Sequence, residues 1–208
     1  MRLTQVLLTN ALMNSASHYN PEDDSKVIKI ANSHQGYLTA QDLRTIFQWK
    51  LQPNHFVGAE RSLIEFDSVN KGEIKRKTKL VLSAKTDQEA LMILKGLPQM
   101  KTKESVAVAS CLLMVLDMNR FTVMDRRANE TLVALRGSLQ SAKSIQANLC
   151  KLQDLLQSYN PPENFIARSQ DWPKYMAICR ELSKATKLTL RDVDRALYSA
   201  SGHLELEA

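Results

Sequence analysis

The chain has 208 residues and a formal net charge of +6; 44% of its residues are hydrophobic and only 6% aromatic. That length can bury a real core, as one large domain or as two small lobes. Six glycines and few aromatics disfavour a β-sandwich or barrel and favour helices, and the positive charge points to an anionic partner, although many basic proteins reach this value.

The three cysteines, Cys111, Cys150 and Cys179, are odd in number and widely spaced. This argues against a disulfide framework and against a Cys-rich metal site. His18, His34, His55 and His203 are scattered without metal-ligand spacing. There is no Gly-rich phosphate loop and no Ser/His/Asp pattern, so no metal and no cofactor is expected. Met1 to Asn14 is apolar but interrupted by Arg2, Thr4, Gln5, Thr9 and Asn10, which does not read as a signal peptide. No run reaches the length of a membrane span. The expectation is a soluble, cytoplasmic protein with no membrane partner.

In chain order, Leu3, Val6, Leu7, Ala11 and Leu12 repeat at helical spacing and predict a first helix. Asn20-Pro21 with Glu22, Asp23 and Asp24 reads as the cap and acidic first turn of a second, with Val27, Ile28, Ile30 and Ala31 facing inward and an end near Gly36. Thr39 caps a third, running to Trp49 with Leu43, Ile46 and Phe47 inward. Gln52 to Phe56 reads as a loop around Pro53. Helices follow over 59–67 and 72–83, the second bearing Lys71, Lys75, Arg76, Lys77 and Lys79 at or beside it. Thr86 and Asp87 open another, with Ala90, Leu91, Ile93 and Leu94 on one face, and it stops at Gly96-Leu97-Pro98.

From Val106 to Leu116 only Ser110 is not apolar. A helix hydrophobic all round belongs in the middle of a core. A polar link, Pro98 to Glu104 with Lys101 and Lys103, precedes it. After Asp117-Met118-Asn119-Arg120 comes the short apolar run Phe121 to Met124, then Asp125 at the mouth of a helix ending near Leu135, with Gly137 as its stop. Ser138 to Tyr159 reads as one long helix and Asn160-Pro161-Pro162-Glu163-Asn164 as a linker. Trp172 to Thr186 is a helix with Tyr175, Met176, Ile178, Cys179 and Leu182 inward. Thr189 caps the last one, with Asp192 three residues on. The pattern predicts an all-α protein of nine or ten helices, residues 1–160 and 161–208 forming one domain, or two lobes with a cleft near 98–128.

The order helix, basic link, buried helix, short run, Asp-capped helix resembles the helix-hairpin-helix DNA glycosylase superfamily. In that family a hairpin L-P-G-V-G-x-K-x-A precedes an apolar helix and a V-D step. Leu97-Pro98, Lys103, Ala107 to Leu116 and Val123-Met124-Asp125 stand in those places. The segment is similar to an uncharacterised bacterial branch through Ala109-Ser110, Leu113, Arg120-Phe121, Val123, Asp125 and Arg127-Ala128, and through the ending Leu190 to Leu197. The chain departs from the family at the hairpin tip, where Gln99, Met100 and Lys101, or in an alternative register Lys103, Glu104 and Ser105, stand in place of two glycines that let backbone N–H groups approach a DNA phosphate. Its spacing from Lys103 to Asp125 is also a few residues long.

The resemblance implies a multi-helix glycosylase-like fold around a helix-hairpin-helix-like element, duplex DNA as partner, and base excision repair by hydrolysis of the N-glycosidic bond of a damaged base. Asp125 is then the catalytic carboxylate; the bland alternative is a helix N-cap. Lys103 is a nucleophilic amine or a solvated loop lysine, and with Lys101 it could contact phosphate. Arg126 and Arg127, in a first helical turn where cations oppose the macrodipole, contact phosphate or pair with Asp117 or Glu130. The Lys71 to Lys79 cluster is a second DNA-facing stripe or a solvated face. Trp49, Trp172, Tyr37 and Phe56 could stack on a flipped base, or anchor the core. The rival to the enzyme is a non-catalytic helical interaction module that keeps the fold without the chemistry.

Overall fold

The computed structural model describes residues 2–51, 71–97, 100, 106–161, 164, 167–204 and 206. Among them the fold is all-α, with ten helices and one two-residue parallel strand pair. The sequence-predicted loop at Gln52 to Phe56 and the helix at 59–67 lie outside the described residues, as do Lys101 and Lys103. The chain divides into two compact units, one of Pro21–Val123 and one of Met1–Asn20 with Met124–Ala208.

In the Pro21–Val123 unit the core is the apolar helix. We number the helices α1 Gln5–Ser17, α2 Ser25–Ser33, α3 Ala40–Leu51, α4 Lys71–Val81, α5 Asp87–Leu94 and α6 Val106–Leu116. All of α6 is buried except Ala107 and Val108, which are half-buried. Its one hydroxyl, on Ser110, donates to the Ala107 carbonyl at 2.9 Å, so no polar group of that side chain needs water. A helix without a wet face needs neighbours all round it, and α2, α3, α4 and α5 each pack on α6. They contribute Val27, Leu43, Ile46, Phe47, Ile74, Val81, Leu91 and Leu94 to the core.

Caps set the boundaries. Thr39 accepts the Asp42 N–H while the Asp42 carboxylate accepts the Thr39 N–H, at 3.2 and 2.8 Å. Thr86 and Glu89 do the same at the start of α5, Glu89 taking the Lys85 N–H. At its end Gly96 turns back with φ +90°, a conformation most side chains resist. The expected acidic first turn of the second helix is instead a separate 3-10 turn, Pro21–Asp24, and α2 starts only at Ser25. Asp24 is fully buried there.

In the other unit the helices are α1, α7 Arg126–Ser141, α8 Cys150–Gln157, α9 Trp172–Thr186 and α10 Leu190–Ala200. α10 packs on α1, α7 and α9, and α8 packs on α7 and α9. The strand pair joins β1 Arg2–Leu3 to β2 Ser144–Ile145 in parallel, and Gln5 continues the link through its N–H to Gln146 Oε1 at 2.8 Å. The inward face of α1 is Leu8, Ala11 and Leu12. Val6, expected inside, is exposed: with Thr4 as the cap, the helix is rotated so that Leu8 rather than Val6 meets the core. Thr131 ties α7 to the end of α10, donating to the Leu197 carbonyl at 2.8 Å and accepting the Gly202 N–H at 2.9 Å.

Gly137 does not end its helix. α7 runs on to Ser141, because Leu139 extends the buried row Ala128, Leu132 and Leu135, and burying one more leucine outweighs the roughly 1 kcal/mol that glycine costs inside a helix. The break falls later, at Ala142, and the predicted long helix Ser138 to Tyr159 is in fact the last turn of α7, then β2, a 3-10 turn at Ala147–Leu149 and α8. Nothing lies within 4 Å of a Cβ built on Gly137. Gly137→Ala is therefore expected to stabilise the protein by about 0.5–1 kcal/mol, seen as a rise of roughly 1–4 °C in Tm. A fall in Tm would mean that the helix does not pass through this position.

Candidate functional site

Phe121 to Met124 is a buried, non-helical stretch that leads into Asp125. Asp125 has extended backbone and its Oδ1 accepts the Ala128 N–H at 2.9 Å, capping α7. The carboxylate satisfies one of the free donors at the helix start and faces the positive end of the helix dipole. The residue stays half-buried.

Behind it lies a polar group of side chains from α7, α9 and the turn that follows α8. Tyr175 is wholly buried, and its phenol is pushed well above its usual pKa, by burial first and then by the neighbouring Cys179 and Asp125. Burial likewise pushes the Cys179 thiol up to about 12. Tyr159, raised mainly by burial, donates to Asn129 Oδ1 at 2.5 Å. Arg136 donates to the Tyr159 carbonyl at 2.6 Å. Tyr175 and Tyr159 are thus held neutral beneath the first turns of α7.

The two arginines after Asp125 have different fates. Arg126 pairs with Glu130 one turn on, at 2.7 Å, one of the two ion-pair partners expected; as an exposed pair it contributes about 0.3–0.5 kcal/mol. Arg127 is exposed with its guanidinium 4.7 Å from the Tyr198 ring centre. Tyr198 in turn meets Tyr19 edge-on at 6.1 Å, and Arg191 and Arg195 lie over the Tyr19 ring at 5.6 and 5.4 Å. Two acids temper this cluster: Asp194 pairs with Arg191, and Asp192 lies 3.8 Å from Arg195. Sequence reasoning missed the cluster. Arg191 and Arg195, one turn apart on a predicted helix, were visible in the pattern; Tyr19, from the far end of the chain, was not.

Of the aromatic candidates, Trp172 is fully buried and stacked on Tyr175 at 6.2 Å, a core anchor. Trp49 is half-buried on α3, Tyr37 lies under the Lys75 ammonium at 4.0 Å, and Phe56 is outside the described residues. His34 accepts the Gly36 N–H at 3.1 Å. Among the described residues no three His, Cys, Asp or Glu side chains group as metal ligands, and no helix is long and apolar enough to cross a membrane.

Thiol chemistry offers a direct check on the buried group behind Asp125. Cys150 is exposed, whereas Cys111 and Cys179 are buried, and a thiol with its pKa raised stays protonated and unreactive at neutral pH. Alkylation of the native protein, read by mass spectrometry, is expected to place one adduct on Cys150, with Cys111 and Cys179 labelled only after unfolding. Early labelling of Cys179 would show that the buried surroundings of Tyr175 open to solvent. No family model, no curated protein and no solved structure matches this chain.

Proposed function

We propose that the protein binds duplex DNA and resembles the base-excision glycosylases, hydrolysing the N-glycosidic bond of a damaged base with Asp125 as its carboxylate. The observation that carries this reading is the setting of Asp125. A short buried run delivers it to a helix start, half-buried, with neutral tyrosines behind it and the exposed cation of Arg127 two residues away. A carboxylate so placed can stabilise positive charge developing on a sugar as the base departs, or orient the attacking water. The base would be reached by flipping it out of the stack. Arg127, with Lys101 and Lys103 of the preceding link, supplies phosphate contacts that carry affinity without sequence information. A covalent route with strand cleavage follows only if Lys103 serves as the nucleophile.

Two observations favour the second reading, a helical module without chemistry. The hydrogen bond from the Ala128 N–H gives Asp125 a structural role as a cap, and the hairpin tip lacks glycine at Gln99, Met100 and Lys101.

The two readings part at Asp125→Asn, because asparagine caps a helix as well as aspartate while removing the charge. Base release from duplexes carrying a panel of damaged bases is expected to drop on the order of 100-fold or more in this variant, with Tm lowered by no more than about 1–4 °C. Asp125→Ala, which also removes the cap, is expected to cost about 0.5–2 kcal/mol of stability. Full release by Asp125→Asn would exclude this carboxylate, and no release by the wild type from any duplex would leave the non-catalytic module as the better account.

A further inference from the structure

The helix α4 carries Lys71, Lys75, Arg76, Lys77 and Lys79 against one acid, Glu73. Its orientation is fixed from below: Ile74, Thr78 and Val81 are buried, and the Thr78 hydroxyl both donates to the Ile74 carbonyl at 2.9 Å and accepts the Leu38 N–H at 3.0 Å. With that face anchored, Lys71, Lys75, Arg76 and Lys79 are all exposed. The remaining cation is turned elsewhere. Lys77 donates to the Lys95 carbonyl and sits 3.7 Å from Glu73, so the single acid of the helix pairs with its one half-buried cation.

Lys71, Lys75 and Lys79 recur every four residues, spacing at which like charges meet on a helix and destabilise it. A face kept merely solvated is better served by alternating acids and bases. This one instead concentrates positive charge, and Lys75 is steadied over the Tyr37 ring at 4.0 Å. From Lys71 to Lys79 the row is about 12 Å long, over which a duplex presents about seven phosphate charges.

We propose that the exposed face of α4 is a docking surface for the phosphodiester backbone of duplex DNA, reading charge and not sequence. The proposal rests on the reading of the chain as a duplex-DNA binder and adds to it a contact surface in the Pro21–Val123 unit. Lysine ammonium groups act there as point charges that release counterions from the duplex.

The test compares two triple variants of equal charge change. One is Lys71→Gln with Lys75→Gln and Lys79→Gln; the other takes the exposed Lys26, Lys29 and Lys143 to Gln. Binding of a mixed-sequence, undamaged duplex is followed by fluorescence anisotropy across a salt series. Each phosphate contact contributes about 0.9 to the slope of log K against log salt. The α4 variant is expected to lose about two to three units of slope and at least tenfold in low-salt affinity, while the control keeps the wild-type slope. Circular dichroism melts of both variants, expected to stay within a few degrees of the wild type because relief of lysine repulsion offsets loss of the Tyr37 contact, tie the loss to charge and not to folding. Equal slopes for the two variants would overturn the proposal. So would wild-type binding to phosphatidylserine vesicles but not to duplex. Base release, assayed alongside, separates the two claims. Release with an α4 variant of normal slope sinks only the docking surface, and a lowered slope without release from any duplex sinks only the excision reading.

Discussion

The Pro21–Val123 unit depends on one constraint: α6 has no side that tolerates water. Its surface is apolar in every direction, so the unit gains most by surrounding it, and α2, α3, α4 and α5 do so. Each of these is amphipathic enough to give α6 an apolar stripe and keep its polar residues outside. The outward position of the α4 lysines follows from this. Ile74, Thr78 and Val81 must face α6 and its neighbours, and the helical period then sends the cations to water.

In the unit formed by the two ends of the chain, the corresponding constraint is the start of α7. A helix that begins with two arginines is electrostatically disfavoured at that end. Asp125 compensates by capping, Glu130 by holding Arg126, and Tyr198 by giving the Arg127 cation a π face. The same three contacts leave a carboxylate and a guanidinium close together at one helix mouth.

Much of the secondary structure was legible because capping is local. Thr39, Thr86, Asp125 and Thr189 each accept the N–H three residues on, a pattern present in the sequence itself, and α9 has the bounds its periodicity predicts. Failures arise where a distant partner outweighs a local preference. Gly137 looked like a stop, but burial of Leu139 carries α7 through it. Val6 fits a helical repeat that the Thr4 cap and the core shift towards Leu8. Asp125 was legible as a cap. The tyrosine behind it and the Tyr19–Tyr198 contact depend on packing between segments far apart in sequence, which no local pattern encodes.

The discontinuity of the second unit has a consequence for how the protein is made. The Pro21–Val123 unit is continuous in the chain, so all its segments have left the ribosome before α7 does, and it can close on α6 while synthesis proceeds. Helix α1 emerges before that unit, yet its main partner is α10. The contact between Tyr19 and Arg191 spans 172 positions. Until α9 and α10 arrive, Leu8 and Leu12 lack their partners, which leaves α1 open to chaperones or to mispairing.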